Sequence, residues 1–436
     1  MKRIIDLHFH ELASGGDHRY PGLIGNSMVH LKNYFEKIQA YDCPIDSNFE
    51  LPYQFEIKIY SAFNNIDIVA DRPSFVFVPQ NLPLLRHFNS DPNNDFTYLY
   101  RIDDTCKNVT LVFDYAHESN LFTNFNKKYT KVDFIKNIEF ERFACIFFSS
   151  QVPGSELHKT FYKSVHPSNS YSATWYLKNI TEVPYIHNKD YVHSFVGKQG
   201  NIRYWVPNNQ FRSSRAQLIV AMHDKDMLAD SEWNMNSFDD YNHTFPNGTH
   251  PKYHKAKHLK RYFELFGNTP KYNSYPWNKQ FNFDKNNRYN MFKVKETWPP
   301  SLLDNIHIYI ASETSNTDDH FIPVDDYFYV PECTEKIIKG FVYGLPMFIN
   351  ARQHSYQICK QLGFDIFEDY GKYDHIESTS DRLKAMLNFA QAMPDVIDKH
   401  IMDIILHNKQ HIMKKETLWK MFANGYTDIF AQYVDN

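Results

Sequence analysis

Residues Val330–Ile349 read VPECTEKIIKGFVYGLPMFI, and the fold follows from this stretch. Thr334 suits a helix N-cap, because a threonine hydroxyl accepts from the free N–H groups of a first turn. Ile337, Ile338, Phe341 and Val342 then share one face, the period of a helix with one buried side. Gly344 suits the left-handed position after a helix, and Pro346 stops its continuation. The apolar run beyond them reads as a strand.

Two charged residues open this helix. Glu335 favours the positive end of the helix dipole and needs no further explanation. Lys336 opposes it, at a cost of roughly 0.3–1 kcal/mol. A bound anion would reverse that sign, since free N–H groups plus an ammonium make a phosphate site. The plain alternative is a solvated lysine on an exposed face.

Working outward, short apolar runs alternate with helical patterns, as in α/β architecture. Strands are expected at Lys2–Leu7, Ile66–Val69, Phe75–Val78, Val109–Phe113 and Ala144–Phe148. Another ends at Pro207 in NIRYWVPNN, and NIHIYIASE alternates Ile306, Ile308 and Ile310. Ser213 or Ser214 is placed to cap a helix carrying Ala216, Leu218, Ile219 and Met222. Residues 230–290 are rich in loop signals, and from Arg382 the chain reads as helical almost to its end. The expected division is residues 1–198 as one Rossmann-like domain, 199–395 as a second, and 396–436 as C-terminal helices packing back on the first.

The 436 residues carry 42% hydrophobic and 17% aromatic side chains with a formal charge of −4, the profile of a globular chain that leaves room only for a local basic cleft. The run MKRIIDLHFH is broken by Asp6, His8 and His10, so no signal peptide is expected, and no run reaches the ~18–20 apolar residues of a membrane span. A cytoplasmic protein is expected, in the host cytoplasm if the source is viral. Abundant Asn, Lys, Tyr and Phe with only 14 Gly suits an AT-rich genome of viral type. The five cysteines are scattered without a CxxC, which points to neither a disulfide framework nor a zinc knuckle.

The ordered set Asn208 with Arg212 and Arg215, Ser312-Glu313-Thr314, Thr334-Glu335-Lys336 with Lys339, Gly344-Leu345-Pro346, Leu362-Gly363-Phe364 with Phe367, and Tyr373-Asp374 with Ile376 before Arg382 resembles glycosyltransferases of phages and large viruses. The Thr-Glu-Lys helix resembles that of α-1,3-fucosyltransferases. The resemblance covers roughly residues 208–382. It implies a GT-B fold: two Rossmann-like domains facing across a cleft, with a helical C-terminal tail. It also implies a nucleotide-diphosphate sugar as co-substrate, with no other cofactor and no metal. Glu335 would then hold the donor ribose and Lys336 its diphosphate, with Arg212, Arg215, Glu313 and Thr334 nearby. Gly340 departs from the pattern, which has proline there, and Gly371-Lys372 stand where it has Glu-Ser.

A transferred sugar needs a hydroxyl acceptor and, for inversion, a general base. Asp114, His117 and Glu118 in LVFDYAHES are the candidates, just past a strand, and HELASGGDHRY is a second acceptor-side loop. A hydroxymethylated DNA base, a glycan or a protein are the acceptor classes, and the basic cluster His254–Arg261 could meet DNA phosphates. Two other readings compete. His8-x-His10 at a strand end would suit a metal-dependent hydrolase, provided a barrel supplied further ligands. Segments such as YSATWYL would equally suit a lectin-like protein. Asp224-Lys225-Asp226 mimics a metal-binding D-x-D, but it follows a helix rather than a strand.

Overall fold

A computed structural model of the protein describes residues 2–10, 24–43, 45, 48–61, 65–78, 106–115, 124–126, 129–130, 142–148, 165–168, 202–208, 213–235, 257–267, 271–272, 303, 305–313, 334–367 and 371–434. The chain divides into two compact units. The first comprises Met1–Thr181, Val324–Val330 and Lys414–Asn436, and the second Glu182–Pro323 and Pro331–Met413.

The first unit is built on a six-stranded sheet in which every pairing is parallel. Its strands are β1 (Arg3–His10), β2 (Tyr53–Tyr60), β3 (Ser74–Val78), β4 (Val109–Tyr115), β7 (Phe143–Phe148) and β8 (Val165–Ser168) in the order β2-β1-β3-β4-β7-β8. A separate hairpin pairs β5 (Asn124–Asn126) with β6 (Tyr129–Thr130). Parallel strands need crossovers, and α1 (Ile24–Ala40) supplies the one from β1 to β2.

Burial of β1 on both faces follows from this central place. Ile5, Leu7 and Phe9 point to the helical side, where Phe9 stacks on Phe77 at 4.4 Å and Phe35 of α1 lies 4.8 Å from Phe55. Asp6 and His8 point to the other side and are equally buried. A buried carboxylate is tolerable only with charge partners. Asp6 has Lys58 at 2.7 Å and Arg72 at 3.4 Å, and Arg72 also reaches Glu56.

Several expected boundaries shift. β1 runs three residues past Leu7 because β2 pairs with it along its whole length, to His10 opposite Tyr60. β2 (YQFEIKIY) is an additional strand, and its alternation of Tyr53, Phe55, Ile57 and Ile59 with Gln54, Glu56 and Lys58 is the period-2 pattern of a half-buried strand. Ile66–Val69 is not a strand. The Val69 carbonyl accepts from Arg72 N–H and Asn108 Nδ2, forming the turn that leads into β3.

The second unit has a five-stranded sheet in the order β11-β10-β9-β12-β13. Its members are β9 (Ile202–Pro207), β10 (Ser231–Met235), β11 (Lys271–Tyr272), β12 (Ile306–Ser312) and β13 (Met347–Asn350), with only β11 antiparallel. Its helices are α2 (Ser213–His223), α3 (Lys257–Phe266), α4 (Glu335–Tyr343), α5 (Ser355–Gln361), α6 (Thr379–Ala392) and α7 (Lys399–Met413). α2 opens at Ser213 and buries Ala216, Leu218, Ile219 and Met222 completely. Asp224-Lys225-Asp226 follows it in a turn. The last helix, α8 (Lys415–Val434), returns to the first unit. There Phe430 lies 5.0 Å from Phe75, the Tyr34 hydroxyl donates to Leu418 O, and Lys415 Nζ donates to the Gln39 and Tyr41 carbonyls that end α1. Among the described residues no helix is long and apolar enough to cross a membrane.

α4 has the ends its sequence specifies. Thr334 caps it by accepting from Lys336 N–H, and Gly344 closes it with φ 64°. Phe341 stacks on Phe364 at 4.1 Å. Gly340 brings the helix close to the sheet: a β-carbon there would sit 2.4 Å from Met347 Sδ, 3.1 Å from Tyr309 Cδ1 and 3.3 Å from Met347 Cβ. Replacing a mid-helix glycine with alanine ordinarily gains about 1 kcal/mol. Met347 Sδ belongs to a flexible side chain beside a cavity lined by Gly340, Met347 and Phe367 and can give way. Tyr309 Cδ1 and Met347 Cβ are buried and fixed by ring and backbone, so overpacking should outweigh that gain. Gly340→Ala is expected to lower the unfolding free energy by about 1–2 kcal/mol, read from the urea midpoint; a raised midpoint would show that the approach is not limited by packing.

Candidate functional site

In the second sheet the chain runs from β9 to β10 on one side and returns to β12 on the other. The gap between the carboxyl ends of β9 and β12 is therefore a topological switch point, where open parallel sheets hold ligands. Asn208 follows β9, Ser312 ends β12 with Glu313 directly after it, and Asn350 ends β13; all four are buried. α2 and α4 begin beside this edge, each with a cation in its first turn, Arg215 and Lys336.

Glu313 is 1% exposed and organises the start of α4. Its Oε1 accepts from Thr334 N–H at 3.1 Å. The Thr334 hydroxyl lies 2.7 Å from Oε1 and 2.6 Å from Oε2, so its one proton is shared between them. Lys336 Nζ stands 3.5 Å from Glu313 Oε2 and donates to Thr334 Oγ1 at 3.1 Å, while Lys336 N–H donates to the same oxygen at 3.3 Å. The side chain of Lys336 is 19% exposed. The lysine that opposes the dipole is thus compensated by a buried carboxylate, and it keeps an edge toward solvent. Tyr309 of β12 fixes the same turn by donating to Lys336 O at 2.9 Å.

Arg215 joins the cluster from α2. It is buried, and its Nη2 donates to Ser312 O at 3.4 Å. Asn350 donates from Nδ2 to Ser312 Oγ at 3.1 Å, and its carbonyl accepts from Glu313 N–H at 3.0 Å. Asn350 and Tyr309 were not singled out from the sequence; the one available signal was a polar residue closing the apolar run MFIN.

Of the expected site residues, the structure joins Glu313, Thr334, Lys336 and Arg215 in one network. Glu335 starts α4, but its side chain lies outside the described residues, as do Arg212, His117 and Glu118 entirely. Asp114 lies within β4 rather than past it, because β7 continues the ladder opposite it, Asp114 against Ile146 and Tyr115 against Phe147. Its side chain is also outside the described residues. The segment HELASGGDHRY, apart from His10, and residues 254–256 of the basic cluster fall outside them too; Lys257 onward belongs to α3.

Other pieces of the expected motif carry the fold. Asp374 accepts from Tyr356 N–H at 3.0 Å and Gln357 N–H at 3.3 Å, fixing the start of α5; burial raises its pKa. Arg382 donates to the carbonyls of Ala351, Ile376 and Glu377. Gly363 takes φ 89° where α5 ends.

No protein-family model matches the chain, and no curated protein matches it. The fold and the site define an α/β protein of two parallel-sheet units, one with an ion-paired cluster at its carboxyl edge. His8 and His10 lie on a strand of an open sheet, not a closed barrel. Among the described residues no group of three His, Cys, Asp or Glu side chains is placed to hold a metal ion.

His8 has a different consequence. Burial, then the nearby Lys58 charge, lowers its pKa from 6.5 to about 4. Between those values the unfolded chain binds a proton that the folded chain refuses. The stabilisation is therefore complete above pH 6.5 and lost as pH falls toward 4. The loss attributable to His8 is about 3 kcal/mol. His8→Gln should flatten the fall in urea midpoint between pH 6.5 and 4, and an unchanged slope would assign that limb to other groups.

Proposed function

We propose that the protein is a glycosyltransferase of the GT-B class, with the second unit as its nucleotide-sugar domain and the first as its acceptor domain. It moves a sugar from a nucleotide-diphosphate sugar to a hydroxyl acceptor. The observation that carries this reading is the placement of Lys336: an ammonium held in the first turn of α4, at the switch point of a parallel sheet, with a second cation, Arg215, in the first turn of α2.

The chemistry needs such a pair. The bond from the anomeric carbon to the diphosphate oxygen breaks, and its electrons leave with the diphosphate. The acceptor oxygen bonds to that carbon, and its proton passes to a base. Charge grows on the departing diphosphate, so fixed cations and helix N–H dipoles aimed there lower the barrier. Arg215 suits bidentate contact with phosphate oxygens, and Lys336 acts as a point charge. Glu335, the first residue of α4, takes the ribose hydroxyls in this reading, and Arg212, just ahead of α2, adds to the phosphate contacts. Asp114, His117 and Glu118 are the candidates for the base.

The acceptor follows from assay. The chain is incubated with a panel of nucleotide sugars, and release of nucleoside diphosphate is followed alone, with hydroxymethylated DNA and with simple glycosides. Release with at least one donor is expected; no release from any donor, together with no nucleotide binding, would contradict the reading and favour a lectin-like protein. Lys336→Ala should weaken nucleoside-diphosphate binding about tenfold or more, as loss of one charged hydrogen bond does, with an unchanged circular dichroism spectrum. Unaltered affinity would remove Lys336 from the site.

A further inference from the structure

The sequence places Glu313 among the residues that touch the donor, but its surroundings give it another task. Both carboxylate oxygens are engaged from within the protein, by Thr334 N–H, the Thr334 hydroxyl and Lys336 Nζ. The dipeptide Ser312-Glu313 is pinned from two more elements, by Arg215 of α2 and by Asn350 at the end of β13. A carboxylate so enclosed is badly placed to meet a sugar hydroxyl.

It is well placed to aim a cation. The carboxylate takes the single proton of the Thr334 hydroxyl, which leaves that oxygen to accept from Lys336 N–H and Nζ. A lysine side chain has about 2 kcal/mol of rotamer entropy to lose on ordering. Holding it beforehand removes that cost from ligand binding. Without the carboxylate, the positive end of α4 would push the ammonium outward into solvent.

We infer that Glu313 is a positioning residue, anchored by Asn350, that aims Lys336 at the β-phosphate of a nucleoside diphosphate and does not itself touch the ligand. The inference rests on the proposed reading of the site, and it makes a narrower claim. The same carboxylate would repel an incoming phosphate if it were poorly compensated. Three donors absorb its charge here, so aim should outweigh repulsion.

The test compares affinities rather than one affinity. Full-length protein is titrated with ADP, GDP, UDP, CDP and dTDP. The diphosphate that binds is then compared with its monophosphate and its nucleoside, for the parent, Glu313→Gln, Glu313→Asp and Asn350→Ala. Glu313→Gln should shrink the preference for diphosphate over monophosphate about tenfold, the effect of one charged hydrogen bond. Asn350→Ala, which removes only the neutral bond to Ser312 Oγ and keeps the backbone bond to Glu313 N–H, should shrink it about threefold. Nucleoside affinity should stay within about twofold, a change of less than 0.5 kcal/mol. Glu313→Asp should retain more of the preference than Glu313→Gln. Equal losses for nucleoside and diphosphate would make Glu313 a direct ligand, and a preserved or increased preference would exclude aiming; either overturns the inference while leaving the donor site standing. If Glu313→Gln does not fold, Asn350→Ala carries the comparison, and failure of both to fold would make the network purely architectural and overturn the inference. A parent that binds none of the five diphosphates removes the donor-site reading and the inference with it.

Discussion

A carboxylate buried at the start of a helix is the constraint around which the second unit is organised. Glu313 directly follows β12, Thr334 caps α4, and Lys336 sits in its first turn; their mutual hydrogen bonds tie strand to helix at one point. Breaking a buried pair by deleting one partner typically costs about 3–5 kcal/mol, because the other charge is left behind. The three residues therefore act together. α4 cannot slide or rotate on the sheet without separating them, and Gly340 admits the close approach that their geometry demands.

The two units solve the same topological problem with similar means. Each sheet sends its first crossover to one side and the rest of the chain to the other, giving β2-β1-β3-β4 and β10-β9-β12-β13. Each also buries an acid within its parallel strands or at their ends. In the first unit Asp6 is neutralised by Lys58 and Arg72 from the neighbouring strand and turn, well inside the ladder, where the result is structural. In the second unit Glu313 lies at the carboxyl edge, and its cation keeps a partly exposed flank. The difference in position separates an ion pair whose carboxylate sits inside the ladder from one at the sheet's carboxyl edge, the edge where the proposed ligand would bind.

Much of the second unit was legible because its elements are strongly patterned. Thr334 as cap, Gly344 in the left-handed conformation and the alternation of β12 are local signals, and local physics decided them. What could not be read was long-range. Ile66–Val69 looks like a strand by composition, but it is irregular chain that runs into the turn closed by Arg72 N–H on Val69 O. The same limit applies to the site. Lys336 was visible as an anomaly against the helix dipole, but its partner lies 23 positions back in the chain, beyond any local pattern. Asn350 gave almost no signal, since one asparagine closing an apolar run is unremarkable until the neighbouring strand is known. The Tyr373-Asp374 and Arg382 pieces carried a motif yet fix backbone segments around α5 and α6.

The most direct measurement is a crystal structure of the protein with a bound nucleoside diphosphate. The account predicts a β-phosphate oxygen within hydrogen-bond reach of Lys336 Nζ and near the Arg215 guanidinium, with Glu313 still bonded to Thr334. A diphosphate bound elsewhere, out of reach of both Lys336 Nζ and the Arg215 guanidinium, would contradict it.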